Sequence, residues 1–227
     1  MGGQACILYG GAEFSRDTDL AILADAENLS RLRQALDDLQ AVSIAVPPLE
    51  ARYLEMGLAV HFRCRAAGVE NMRVDVMSKM RGVDEFAKLW ERRTTLQYDD
   101  HSIDVLSLPD LVAAKKTQRD KDWPMIGRLV EANYFAHRDQ PTPQQIAFWL
   151  REFRTAALLI EVAARHPEDC QRELAARPLL SQAQSNDEAT LQAALDAEEA
   201  DQRQADREYW APLKETLQQL RTAKRQK

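Results

Sequence analysis

The stretch that decides the fold is Gly10-Gly11-Ala12-Glu13-Phe14-Ser15-Arg16-Asp17-Thr18-Asp19-Leu20-Ala21-Ile22-Leu23. The glycine pair stops whatever precedes it, and residues 18–23 have the apolar content of a buried strand. Successive side chains of a strand point to opposite faces, so Asp17 and Asp19 project from the same one. Two carboxylates held that close repel each other, and one pKa rises unless a cation stands between them. A divalent metal is the simplest resolution. Hard oxygen ligands favour Mg²⁺ or Mn²⁺, and Mg²⁺ takes one or two carboxylates while keeping waters and substrate phosphates.

Working outward, Gly2-Gly3 open a glycine turn and a short helix that ends at Gly10-Gly11. On the other side Asp25 caps a helix with Leu29, Leu32, Leu36 and Leu39 at helical spacing. Residues 42–46 read as a strand stopped by Pro47-Pro48, and a short helical piece follows around Leu54. Residues 58–64 and 72–77 alternate as strands joined by Ala66-Ala67-Gly68. Asp75 stands in the centre of Arg73-Val74-Asp75-Val76-Met77, where an unpaired carboxylate is costly, so it needs a partner. Residues 84–93 read as an amphipathic helix and 102–106 as a last strand, after which Ser107 caps a helix with Asp110 in its first turn.

Beyond that point strand signals cease. Residues 123–135, 143–165 and 187–224 read as helices, separated by turns such as Asp139-Gln140-Pro141 and His166-Pro167. The expected fold is α+β, a small mixed sheet flanked by helices over residues 1–122 and a helical C-terminal region over 123–227. The last helix, with its sparse leucine stripe, reads as a solvated face or a partner-packing helix. Phe148, Trp149 and Phe153 read as helical core.

Composition bounds the function. With 227 residues, 45% apolar and 29% charged, and with 8 Gly and 9 Pro, the chain has the balance of a folded domain rather than a fibre or a disordered tail. A net charge of -6 argues against non-specific wrapping of duplex DNA, whose affinity comes from phosphate neutralisation. It does not argue against one nucleotide. No apolar run approaches the roughly 20 residues of a membrane span, so no membrane partner is expected and the default address is cytoplasmic. Cys6, Cys64 and Cys170 lack paired spacing and read as reduced, buried thiols. His61, His101, His137 and His166 show no metal-ligand spacing and read as structural or surface residues.

In combination, Gly2-Gly3, the helix ending at Gly10, Ser15, Asp17-Thr18-Asp19 and the later Asp75 resemble the nucleotidyltransferase superfamily with a polymerase-beta-like core. The resemblance covers residues 1 to about 125. It is nearest the bacterial minimal and AbiEii-like branches, through Leu111 to Lys115 and Lys121-Asp122. What it implies is transfer of a nucleoside monophosphate from a nucleoside triphosphate (NTP) such as ATP to an acceptor: a small molecule, a protein hydroxyl or an RNA end. Asp17, Asp19 and Asp75 would be the catalytic and metal-binding carboxylates, with Asp75 taking the proton of the attacking hydroxyl. Gly2, Gly3, Ser15 and Lys115 would contact the nucleotide. Glycines let the backbone approach a phosphate, and Ser15 can donate its hydroxyl to a phosphate oxygen.

Lys115 lies on the inward stripe of Leu108, Leu111 and Val112, where it either contacts phosphate or snorkels along apolar surface. Lys116, Arg119 and Lys121 are expected to be solvated. Glu13 stands where many relatives have Arg. Because only Met1 precedes Gly2, the natural reading frame is expected to begin upstream. By family analogy alone, the resemblance extends to an AbiEii-like toxin that would have an antitoxin partner; the alternative is a catalytically silent nucleotide-binding or interaction module working through its helical region.

Overall fold

β1 (Asp17–Ala21) forms one edge of a four-stranded mixed sheet ordered β1-β4-β3-β2, with β2 (Val42–Ser43), β3 (Val60–Arg63) and β4 (Arg73–Met77). It runs parallel to β4, whereas β3 is antiparallel to both β4 and β2. This computed structural model describes residues 1–226 and, for Tyr98, the backbone alone. The chain divides into two units: the first holds Met1–Leu8, Ala12–Ala114 and the chain from Arg207, the second Tyr9–Gly11 and Lys115–Asp206.

In the first unit, alternation along the strands sends Val60, Phe62, Val74 and Val76 to one face of the sheet. There they are buried with Leu29 and Leu36 of α2 (Ala26–Asp38) and Leu54 of α3 (Ala51–Glu55). Asp25 caps α2 by accepting a hydrogen bond from the Asn28 amide at 2.7 Å. The strand expected over 42–46 pairs only at Val42 and Ser43. The helix expected over 84–93 shortens to α4 (Phe86–Glu91), because the chain turns at Arg92 into a strand that was not anticipated, β5 (Thr94–Tyr98). β5 pairs with β6 (His101–Val105) in a separate two-stranded sheet. Its turn, Asp99-Asp100, lacks the glycine that usually announces a two-residue hairpin, and Asp99 itself takes φ 49°.

α1 (Gly2–Leu8) packs on β1, and α5 (Leu108–Lys115) starts where Ser107 Oγ accepts from the Asp110 amide. Leu108, Leu111 and Val112 are buried on the expected stripe.

The second unit is helical: α6 (Asp122–His137), α7 (Pro143–Glu152), α8 (Ala156–Arg165), α9 (Pro167–Glu173), α10 (Leu180–Gln184) and the first part of α11 (Glu188–Arg225). Phe148, Trp149 and Phe153 are core, as read from the sequence; Tyr134 meets Trp149 and Phe153 edge to face at 5.0 and 5.4 Å. Cys6, Cys64 and Cys170 are buried thiols. Residues 143–165 form two helices rather than one, broken around Phe153.

From Arg207 onward α11 keeps a solvated face, as expected, while its apolar stripe packs on the protein's own core. Leu213 buries against Tyr53 and Leu58, flanked by Tyr209, Trp210, Leu217 and Leu220. Gly57, at φ 92°, lets Tyr209 Oη come within 2.6 Å of where a Cβ would stand. Leu213→Ala is expected to cost about 2 kcal/mol, the low end for a leucine truncation because the site lies at the margin of the core. Urea denaturation checks it, and an unchanged midpoint would show that this end of α11 adds nothing to stability. Among the described residues no helix is long and apolar enough to cross a membrane.

Candidate functional site

The face of the sheet opposite the apolar core is polar, and register decides what it carries. In the parallel pair Asp17 lies beside Arg73 and Asp19 beside Asp75; in the antiparallel pair His61 lies beside Asp75. Side chains at paired positions share a face, so β1, β4 and β3 bring Asp17, Asp19, Arg73, Asp75 and His61 together.

Asp75 is held tightly, its side chain 14% exposed. Its Oδ1 accepts from Arg73 Nε at 2.8 Å and lies 2.9 Å from His61 Nδ1. Because a carboxylate only accepts, this contact calls for hydrogen on Nδ1, whereas Arg73 Nη2, which only donates, stands 3.2 Å from the same nitrogen and calls for a lone pair there. Among the described residues Oδ2 accepts no hydrogen bond. Burial pushes the Asp75 carboxyl up, but the hydrogen bonds from His61 and Arg73 and their charges outweigh it, so Asp75 stays below the usual carboxylate range. Arg73 is raised by its hydrogen bond to Asp75 against the opposing effect of burial, with the charges of Asp75, Asp17 and Asp19 adding to the rise. The cation that two neighbouring carboxylates call for is thus supplied in part by the chain itself.

The N-terminal helix closes one side of this face. Gly2 has φ 65°, and a Cβ there would stand 1.8 Å from Asp19 Oδ2. The Gly3 amide donates to that same oxygen at 3.3 Å. A Cβ on Gly3 would lie 2.3 Å from Ser15 Oγ, and Ser15 in turn donates to the Asp17 carbonyl at 3.0 Å. The Met1 ammonium donates to the Asp19 carbonyl at 2.9 Å. The glycine pair is therefore required here for a close approach: no larger residue fits between α1 and the Asp19 carboxylate. Gly2, Gly3, Ser15, Asp17, Asp19 and Asp75, chosen from sequence, lie in one region of the first unit.

Lys115 belongs to the second unit. It points inward, as the stripe requires, and its Nζ donates to Asp122 Oδ1 at 3.3 Å. Of the three cations expected to be solvated, Lys116 is not: it pairs with Glu152 at 2.7 Å and its side chain is only 19% exposed. Arg119 is exposed as expected, while also pairing with Asp122 at 2.7 Å. Glu152 comes from α7, 36 positions away, so local sequence could not reveal the partner of Lys116, whereas Asp122 lies only three positions beyond Arg119. Glu13 is exposed.

His61 and Arg73 are the two residues of this face that sequence reasoning passed over. Arg73 was recoverable, because it precedes Asp75 by two positions in a strand and so shares its face. His61 was not, since its place opposite Asp75 depends on the pairing of β3 with β4. Among the described residues, no group of three or more histidine, cysteine, aspartate or glutamate side chains converges as a metal cage. The half-buried oxygens of Asp17 and Asp19 nonetheless fit a hard divalent ion, which needs only one or two carboxylates beside water and phosphate. Comparison of the chain with protein-family models, with curated proteins and with solved structures returns no match.

Proposed function

We propose that this chain transfers a nucleoside monophosphate from an NTP to a hydroxyl acceptor, releasing pyrophosphate, and that the first unit is a nucleotidyltransferase core. One observation carries the reading: Asp17, Asp19 and Asp75 share one face of the β1–β4 pair, with Gly2, Gly3 and Ser15 packed against Asp19 and Asp17. Three carboxylates on one sheet face, next to backbone that only glycine can bring so close, form a place to hold a charged, phosphate-bearing substrate. Asp17 and Asp19 would hold Mg²⁺ or Mn²⁺, which when bound neutralises phosphate charge and orients the triphosphate.

The protein's own contribution is positioning and proton transfer. Ser15 Oγ donates to a phosphate oxygen once released from the Asp17 carbonyl. Arg73 limits the repulsion that the acids exert on an anionic substrate. Hydrogen bonds to Oδ1 keep Asp75 ionised and oriented, and its other oxygen, Oδ2, takes the proton from the attacking hydroxyl. In-line phosphoryl chemistry needs little more than this alignment.

Incubation with each labelled NTP, Mg²⁺ or Mn²⁺ and total cell extract tests the reading, by showing which NTP is consumed and what becomes labelled. Consumption of none overturns it. An AbiEii-like toxin role rests on the same site, and a neighbouring antitoxin gene would support it. A second reading, a silent module that keeps the fold, draws on the engagement of Asp75 Oδ1 by both Arg73 and His61, which balances its charge without a metal. NTP binding without turnover would favour that reading.

Gly2→Ala is expected to lower transfer about tenfold or more although it deletes no polar group, because its Cβ would occupy the space of Asp19 Oδ2. Steady-state turnover checks this, with circular dichroism confirming the fold. Unchanged turnover would show that the close approach has no part in the reaction.

A further inference from the structure

A groove of about 400 Å³ lies wholly within the second unit, apart from the polar sheet face, and no step above uses it. Its lining includes one face of α6, with Trp123, Gly127 and Arg128, and also Arg154 and Arg203.

Two features of this groove weaken the protein by itself. Gly127 sits in the middle of the 16-residue α6, where glycine disfavours the helix, yet a Cβ on it would meet nothing within 4 Å. The chain's own packing therefore does not require a glycine at that position. Arg154, its side chain 11% exposed, pairs with Glu198 through Nη1 and lies 3.7 Å from Glu152 through Nη2, but its Nε is buried with no acceptor. A glycine that internal packing does not require, beside a buried donor left without an acceptor, points to a site that an outside molecule completes.

The charges indicate which kind of molecule. Each acid of the lining is already engaged: Asp120 and Glu199 accept from Arg203, and Glu131 accepts from Thr155 Oγ1 at 2.7 Å. Arg128 is exposed and makes no hydrogen bond or ion pair among the described residues. What the groove leaves unmet is thus donors alone: the guanidinium of Arg128 on α6 and the Nε of Arg154 in the loop between α7 and α8. A carboxylate is filled by one guanidinium fork, whereas a tetrahedral phosphate presents acceptors to two. The volume falls in the range of small-ligand sites.

We propose that this groove binds the phosphate group of a small phosphorylated molecule, with Arg128 and Arg154 as its donors and Gly127 as the floor that leaves room for the remainder. Isothermal titration of the full chain with inorganic phosphate, phenyl phosphate and benzoate tests it, in metal-free buffer at constant ionic strength. Both phosphates should bind saturably, phenyl phosphate more tightly, and benzoate should not. Arg128→Ala should weaken phosphate binding about tenfold or more. Gly127→Ala should raise the melting temperature of the free protein while weakening phenyl phosphate about tenfold, a combination that a merely structural glycine does not produce. The absence of saturable phosphate binding, benzoate binding as well as phenyl phosphate, or unchanged affinity in both variants would each overturn the proposal.

Discussion

Asp19→Asn is expected to abolish nucleotidyl transfer by several orders of magnitude while leaving the melting temperature of the metal-free protein unchanged or raised. The two halves of this result have separate causes. The substitution removes one formal charge from the oxygen pair that would face the triphosphate, and the chemistry depends on that charge. It also relieves repulsion on a face where Asp17, Asp19 and Asp75 stand side by side with Arg73 as their shared counter-charge. An asparagine keeps the side-chain oxygen that the Gly3 amide reaches at 3.3 Å, so the seat of α1 survives. Turnover and calorimetry of the same preparation decide it. Near-normal turnover removes Asp19 from the chemistry, and a large fall in melting temperature makes it a structural residue.

Asp122→Ala is expected to destabilise the second unit by about 3 to 5 kcal/mol, the cost of leaving one member of a buried ion pair behind. Asp122 is fully buried and accepts from Lys115 Nζ, Thr117 Oγ1 and Arg119 Nε. Removing it leaves the Lys115 ammonium, 11% exposed, without its carboxylate. Urea denaturation measures the loss, and Lys115→Ala in the Asp122→Ala background should restore part of it, since the stranded charge goes too. Recovery of nothing would show that the pair is not coupled.

A pH dependence follows from the same residue. Burial raises the Asp122 carboxyl, but the charge of Lys115, the hydrogen bond from Thr117 and the charge of Arg119 outweigh it, so its folded value lies below the ordinary 3.8. Its contribution is therefore complete above that ordinary value and is lost as pH falls through the depressed one. The Asp122→Ala protein should lack this acid limb in a stability-against-pH curve.

These pairs change what Lys115 means. Its inward direction was legible from Leu108, Leu111 and Val112, because a helical stripe is a local property. Its partner was not, since Asp122 opens the next helix beyond a loop that returns the chain to it. The aspartates of the polar sheet face show the same division. That Asp17 and Asp19 share a face follows from the two-residue period of a strand, and Asp75 stood out as an acid among valines. Their meeting required β1 to pair with β4 in the register that sets Asp19 against Asp75.

The sequence by itself determined which segments are apolar on one side: the strands, α2 with its Asp25 cap, and the core aromatics of α7. These depend on neighbours within a few positions, which is the range over which periodicity and capping act. Only the tertiary structure decided where some of those segments stop. Nothing in residues 143–165 breaks a helix by composition, yet α7 ends at Glu152 and α8 begins at Ala156. The carbonyls of Leu150 and Phe153 receive hydrogen bonds at 2.8 and 3.1 Å from Arg177, a buried guanidinium that Glu198 also holds. A side chain more than twenty positions away supplies the hydrogen bonds that a glycine cap would otherwise provide, and no local reading of residues 143–165 contains it.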